Sequence, residues 1–171
     1  MLIYRNDYNK NEYTPEQTAI LKEFVATAEY KQMLAEETTY WVIVKLEEKV
    51  GEPLDKQWFR LLQATWQAEG TDRYETYARE TIRAIEALLA NPEGKKEKDI
   101  ETVQILLGEL NRRIGEFDKA KAVFENLLTK PEFKEHDFYP GIIKYELKLI
   151  AAGNKFSHSM SDINGGKKTK W

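Results

Sequence analysis

The stretch Ile105 to Leu128, ILLGELNRRIGEFDKAKAVFENLL, decides how this chain folds. Leu106, Leu107 and Leu110 before Gly115, and Phe117, Ala120, Val123, Phe124 and Leu127 after it, recur at the interval that lines one side of an α-helix. Between the two runs stands Gly115, the residue type that enters a tight reversal without steric cost. Two antiparallel helices follow from that pattern. Gly108 and Ala120 lack bulk, so the two backbones can approach closely, and Phe124 is expected to fill the space between this hairpin and its neighbours.

The same periodicity extends outward. Thr14-Pro15-Glu16-Gln17 holds a capping threonine, a proline in the first turn and a glutamine that reaches back, so a helix starts there. Apolar positions from Ile20 to Leu46 run on to Gly51-Glu52-Pro53 and predict two helices broken near residues 27 to 32. Tyr40 to Leu46, YWVIVKL, suits a strand by propensity, yet its charged, helix-favouring flanks predict helix. Further helices are predicted from Pro53 to Gly70, from Tyr74 to Asn91-Pro92, from Ile100 to Gly115, from Phe117 to Lys130-Pro131, and from Phe138 to Gly153. The expectation is an all-α fold of about six or seven helices: an N-terminal arm over 1–13, a helical domain over 14–153 and a flexible, Ser/Gly/Lys-rich tail over 154–171.

Composition narrows the function classes. A hydrophobic fraction of 42% in 171 residues is enough for a core. With 26 basic against 29 acidic residues there is no global field for nucleic acid or an anionic membrane. Arg112, Arg113, Lys167, Lys168 and Lys170 form too thin a basic group to reverse that, so nucleic acid is disfavoured as a partner. The absence of cysteine excludes disulfides, thiolate zinc sites and cysteine nucleophiles. No run approaches the roughly 20 apolar residues of a membrane span, and a cytoplasmic location is expected.

Leu107-Gly108, Gly115, Phe117, Ala120 and Phe124 fall at the offsets of one tetratricopeptide (TPR) unit, which the stretch resembles. Asn111 stands where that pattern has a tyrosine, Leu127 where it has an alanine, and Pro131 comes a residue early. The segments LLQATWQAEG, YETYARETIRAIEALL and LLGELNRRIGEFDKAKAVF are also similar to the C-terminal half of a bacterial family of unknown function, whose members carry a four-cysteine zinc ribbon ahead of a TPR-like domain. That ribbon is absent here, and the family implies no activity. The TPR resemblance implies a stack of antiparallel helical hairpins whose first helices line a groove. On that analogy Thr102, Ile105, Glu109, Arg112 and Arg113 would face a bound partner. The Lys/Asn carboxylate clamp of chaperone-binding TPRs is missing, since Ile105 and Glu109 occupy two of its positions. An arginine pair would still suit an acidic peptide.

Local chemistry is sparse. Glu132 and His136 are spaced as ligands on a helix but are too few for a metal site. Glu36-Glu37 and Glu47-Glu48 lack the Glu-x-x-His partners of di-iron bundles and read as solvated faces. Phosphate-loop, dinucleotide and nucleophile-elbow signatures do not occur. Trp41, Trp58 and Trp66, with Tyr40 and Phe59, suit either a ligand groove or core packing, the latter being expected. No catalytic residue, metal or cofactor is therefore predicted. The expected function is a non-catalytic protein–protein interaction module. Its rivals are an accessory subunit acting through self-association or a permanent partner, and an enzyme of unrecognised type.

Overall fold

The computed structural model describes residues 13–92, 97–134, 136 and 138–163. Among them every regular element is helical, as the periodicity predicts. The chain divides into two compact units, Met1–Tyr77 and Ala78–Trp171.

The first unit contains α1 (Pro15–Val25), α2 (Ala28–Glu36), α3 (Thr39–Lys49) and α4 (Leu54–Gln67). At the start of α1 the capping box is complete: Gln17 N donates to Thr14 Oγ1 (3.2 Å) and Thr14 N to Gln17 Oε1 (3.0 Å). Gln17 Nε2 also donates to the Val50 carbonyl, which ties α1 to the end of α3. Residues 15–49 form three helices rather than the two expected. Thr27 caps α2 through Tyr30 N, and Thr38 caps α3 through Trp41 N. A threonine hydroxyl that takes over a backbone donor ends one helix and starts the next without any glycine or proline.

The YWVIVKL segment is helical, and much of it is core: Trp41, Val42 and Val44 are buried, as are Phe24, Leu61, Leu62, Ala64 and Ala68, while Ile43 is half-buried. Trp41 stacks on Tyr77 with ring centroids 4.0 Å apart. Glu37, where α2 ends, accepts from Arg73 Nε (2.8 Å) and from the Tyr77 hydroxyl. Helix α2 buries no residue.

Helix α5 (Tyr74–Ala90) begins in the first unit, and its remaining turns belong to the second, with α6 (Glu97–Ile114), α7 (Phe117–Leu127), α8 (Pro131–Lys134), α9 (Tyr139–Ala151) and α10 (Met160–Ile163). The α6–α7 reversal follows the predicted design. Gly115 adopts φ +89, its N–H meets the Arg112 carbonyl, and Glu116 N meets the Asn111 carbonyl, so the last carbonyls of α6 are satisfied. A Cβ on Gly108 would stand 2.5 Å from Phe124 Cζ, so the ring lies directly against the α6 backbone. Helix α9 packs mainly on α7 and also on α6. Ala120, Phe124, Leu127, Phe133, Tyr139 and Ile143 form one buried cluster there, with Ile105 against its edge.

Two local expectations change. Pro131 opens the single turn α8, which buries Phe133 completely, instead of closing a helix. Residues 154–158, from the stretch expected to be a flexible tail, are tied to α6 and α9 through Asn154, Phe156, Lys155 and His158. The positions 164–171 lie outside the described residues, as do 1–12 of the arm.

Candidate interaction surfaces

Along α6, Ile105, Gly108 and Arg112 fall three and four residues apart, on one side of the helix. Gly108 faces Phe124 of α7, so this side is turned inward. Ile105 accordingly packs on the buried cluster, and Arg112 is wholly buried. A buried guanidinium must have its donors satisfied. Glu146 of α9 answers it in bidentate fashion, Nε to Oε2 at 2.5 Å and Nη2 to Oε1 at 3.4 Å, while Nη1 donates to two main-chain carbonyls beyond α9. Arg113 is only 8% exposed, with Nη1 3.8 Å from Glu109 Oε1. Thr102 is exposed, in hydrogen-bond contact with the Tyr139 hydroxyl.

The five residues placed in a groove by analogy therefore separate. Thr102 and Glu109 meet solvent, Ile105 is half-buried in the apolar cluster, and both arginines are sequestered. Arg112 is not free to hold an acidic peptide, because Glu146 already supplies that carboxylate. Changing Arg112 to Glu would set two carboxylates face to face in a buried position, so such a variant would lose the fold rather than spare it.

Apolar surface is instead offered by the first unit. Its exposed large residues are Tyr13, Ile20, Val25, Leu34, Phe59 and Trp66. Helix α4 explains two of them. Gln57, Leu61, Leu62, Ala64 and Thr65 take its inner side, which leaves Phe59 and Trp66, seven residues apart, in one outer stripe with Gln63 between them. Trp58 is half-buried and meets Phe59 edge to face at 5.4 Å. The tryptophan group thus divides by position: Trp41 is core, Trp58 is at the boundary, and Trp66 is 48% exposed.

Sequence reasoning assigned Glu47 to a solvated face, whereas it is buried in the α3–α4 hairpin. Glu47 Oε1 pairs with Arg60 Nε at 2.8 Å, but Oε2 has no hydrogen-bond partner among the described residues, and neither has the buried Gln57 Oε1. Burial pushes the Glu47 carboxyl up to about 7, with Arg60 opposing and Glu52 reinforcing the shift. Burial and its bond to Glu37 likewise raise the Tyr77 hydroxyl to about 12.

His136 is exposed, stacks on Tyr139 at 4.1 Å and accepts from Phe138 N. Among the described residues no group of three or more His, Asp or Glu side chains is placed to hold a metal ion, and no helix is long and apolar enough to cross a membrane. No family model, curated protein or solved structure matches the chain.

Proposed function

We propose that this protein is a non-catalytic interaction module, TPR-like in its α6–α7 hairpin, that binds an amphipathic helical segment of a partner protein on the outer stripe of α4. The observation that carries the proposal is the solvent exposure of Phe59 and Trp66 one above the other on that helix. Aromatic residues dominate binding energy where they are enclosed, and two of them partly open to solvent in register form an apolar ridge at a cost in solubility. A ridge of this kind receives a helix with apolar residues at i, i+3 or i+4, and i+7. The Gly108–Phe124 contact supports the hairpin part of the proposal, because it is the close helix approach that the TPR pattern encodes.

The test is the full chain carrying Phe59→Lys and Trp66→Lys. Phe59 gives up its ring contact with Trp58, so urea titrations should show a loss of about 1 kcal/mol with the cooperative transition retained. Cross-linked capture from host extract should then lose a defined partner that the parent retains. Retention of the same partner by the folded variant would refute the assignment. Sedimentation separates the rival occupant: a parent dimer that becomes monomeric in the variant would make the stripe a self-association surface.

A further inference from the structure

Arg112 reaches past its ion pair to the backbone that follows α9. Nη1 donates to the carbonyls of Asn154 (2.8 Å) and Phe156 (3.0 Å). The chain between them bends at Phe156, where Phe156 N donates to Asn154 Oδ1 (2.8 Å), and one nitrogen bearing two hydrogens serves both carbonyls. Arg112 grips main chain only, and the Asn154 side chain holds the bend that presents it. Lys155, Phe156 and Ser157 are exposed, Phe156 by 77%.

The other ties of this segment are polar: at its ends Asn154 N donates to the Leu149 carbonyl (2.9 Å) and Ser159 N to Asp162 Oδ2 (2.7 Å). Lys155 Nζ lies 3.5 Å from the Ile114 carbonyl at the end of α6, and the Tyr145 hydroxyl is 3.1 Å from His158 Nδ1. No residue from 154 to 159 is buried. Gly153, at φ +63, turns the chain out of α9 just before it. Beneath the segment the donor is fixed, because Arg112 is enclosed on a helix end and locked by the bidentate Glu146. A pre-aimed donor under a segment without a buried residue has the build of a peptide site with its occupant in place.

We propose that residues 154–159 are a displaceable strap occupying, in cis, a main-chain-reading peptide site formed by Arg112, the end of α6 and α9. A polypeptide segment that offers carbonyls at i and i+2 around such a bend competes with the strap for Arg112 Nη1. Every residue of this site belongs to the second unit, so it stands or falls independently of the α4 stripe.

The chain contains no cysteine, so Ser157→Cys in the 171-residue chain accepts a single nitroxide at an exposed position. The electron paramagnetic resonance spectrum should be dominated by a slow component. A synthetic peptide spanning residues 153–163, titrated to millimolar concentration, should raise the fast fraction at least threefold and saturably. Combining Arg112→Met with Glu146→Leu removes the donor together with its counter-charge; in that background the label should be fast without peptide and indifferent to it. A slow spectrum at every peptide concentration, a fast spectrum in the parent, or a slow spectrum in the double variant would each overturn the strap. If the double variant does not fold, the titration on the parent decides alone.

Discussion

Gly108→Ala should destabilise this protein, although in most helices the same change does the opposite. Gly108 lies inside α6, where replacing glycine by alanine ordinarily gains roughly 1 kcal/mol of helix propensity. Against that gain stands the Phe124 ring. Three of its carbons would lie 2.5 to 2.8 Å from the new Cβ, about 1 Å inside ordinary carbon–carbon contact. The ring has nowhere to retreat, being fully buried among Ala120, Leu127, Phe133, Tyr139 and Ile143. Overpacking a core of this kind costs about 1–3 kcal/mol, so the net effect should be a loss of roughly 1 kcal/mol, and the midpoint of urea unfolding should fall. A double-mutant cycle gives the cause. Phe124→Leu removes the obstructing ring edge, and in that background Gly108→Ala should turn neutral or stabilising, a coupling of about 1–2 kcal/mol. An increase in stability on Gly108→Ala alone would show that the two helices separate freely, and would remove the basis for reading the α6–α7 pair as a tightly specified hairpin.

Two other perturbations probe buried charge. Arg112→Met leaves Glu146 enclosed without its counter-ion and should cost about 3–5 kcal/mol, whereas adding Glu146→Leu should recover most of the loss; equal damage from single and double variants in chemical denaturation would contradict the pairing. Glu47 should make stability fall as pH rises. Its folded carboxyl titrates near 7 against an ordinary 4.5, so the stability it contributes is fully present below pH 4.5, declines through the interval and is gone above pH 7, a span of roughly 3 kcal/mol. Unfolding titrations of the parent against Glu47→Gln from pH 4 to 8 should show that slope in the difference; a difference independent of pH would mean that Glu47 is ionised throughout.

Legibility in the sequence followed the range of the interactions involved. The capping box at Thr14 and the hairpin of Ile105 to Leu128 were readable because their partners lie within a few positions or in the adjoining helix. The break at Glu37-Thr38 was not predicted, since a threonine cap lacks the punctuation of glycine or proline, although Thr38 stands at the required interval before Trp41 N. The inward side of α6 is hidden from the sequence for a different reason: Arg112 finds Glu146 34 residues away, and only the docking of α9 decides which side of α6 is covered. A signal was present all the same. Glu146 stands three residues after Ile143 and four before Ile150, inside the apolar stripe of α9, and Glu47 stands three after Val44 in that of α3. A charge embedded in a buried stripe requires a partner or a proton, and each of these has one or the other. The exposure of Phe59 and Trp66 had no comparable mark, because aromatic residues at helical spacing look alike whether they point in or out.

Helix α2 has no buried residue and runs for only nine positions, held by the Thr27 cap at one end and by Glu37 at the other. A helix of that length is marginal in water by itself, so its opening free energy is decoupled from that of the core. Opening it exposes little new apolar surface, so amide exchange there should respond hardly at all to low denaturant while the amides of α3 and α4 do. The segment between α1 and α3 should therefore melt and reform while its neighbours stay folded, and limited proteolysis of the folded chain by a trypsin-like protease should cut first at Lys31 in its middle.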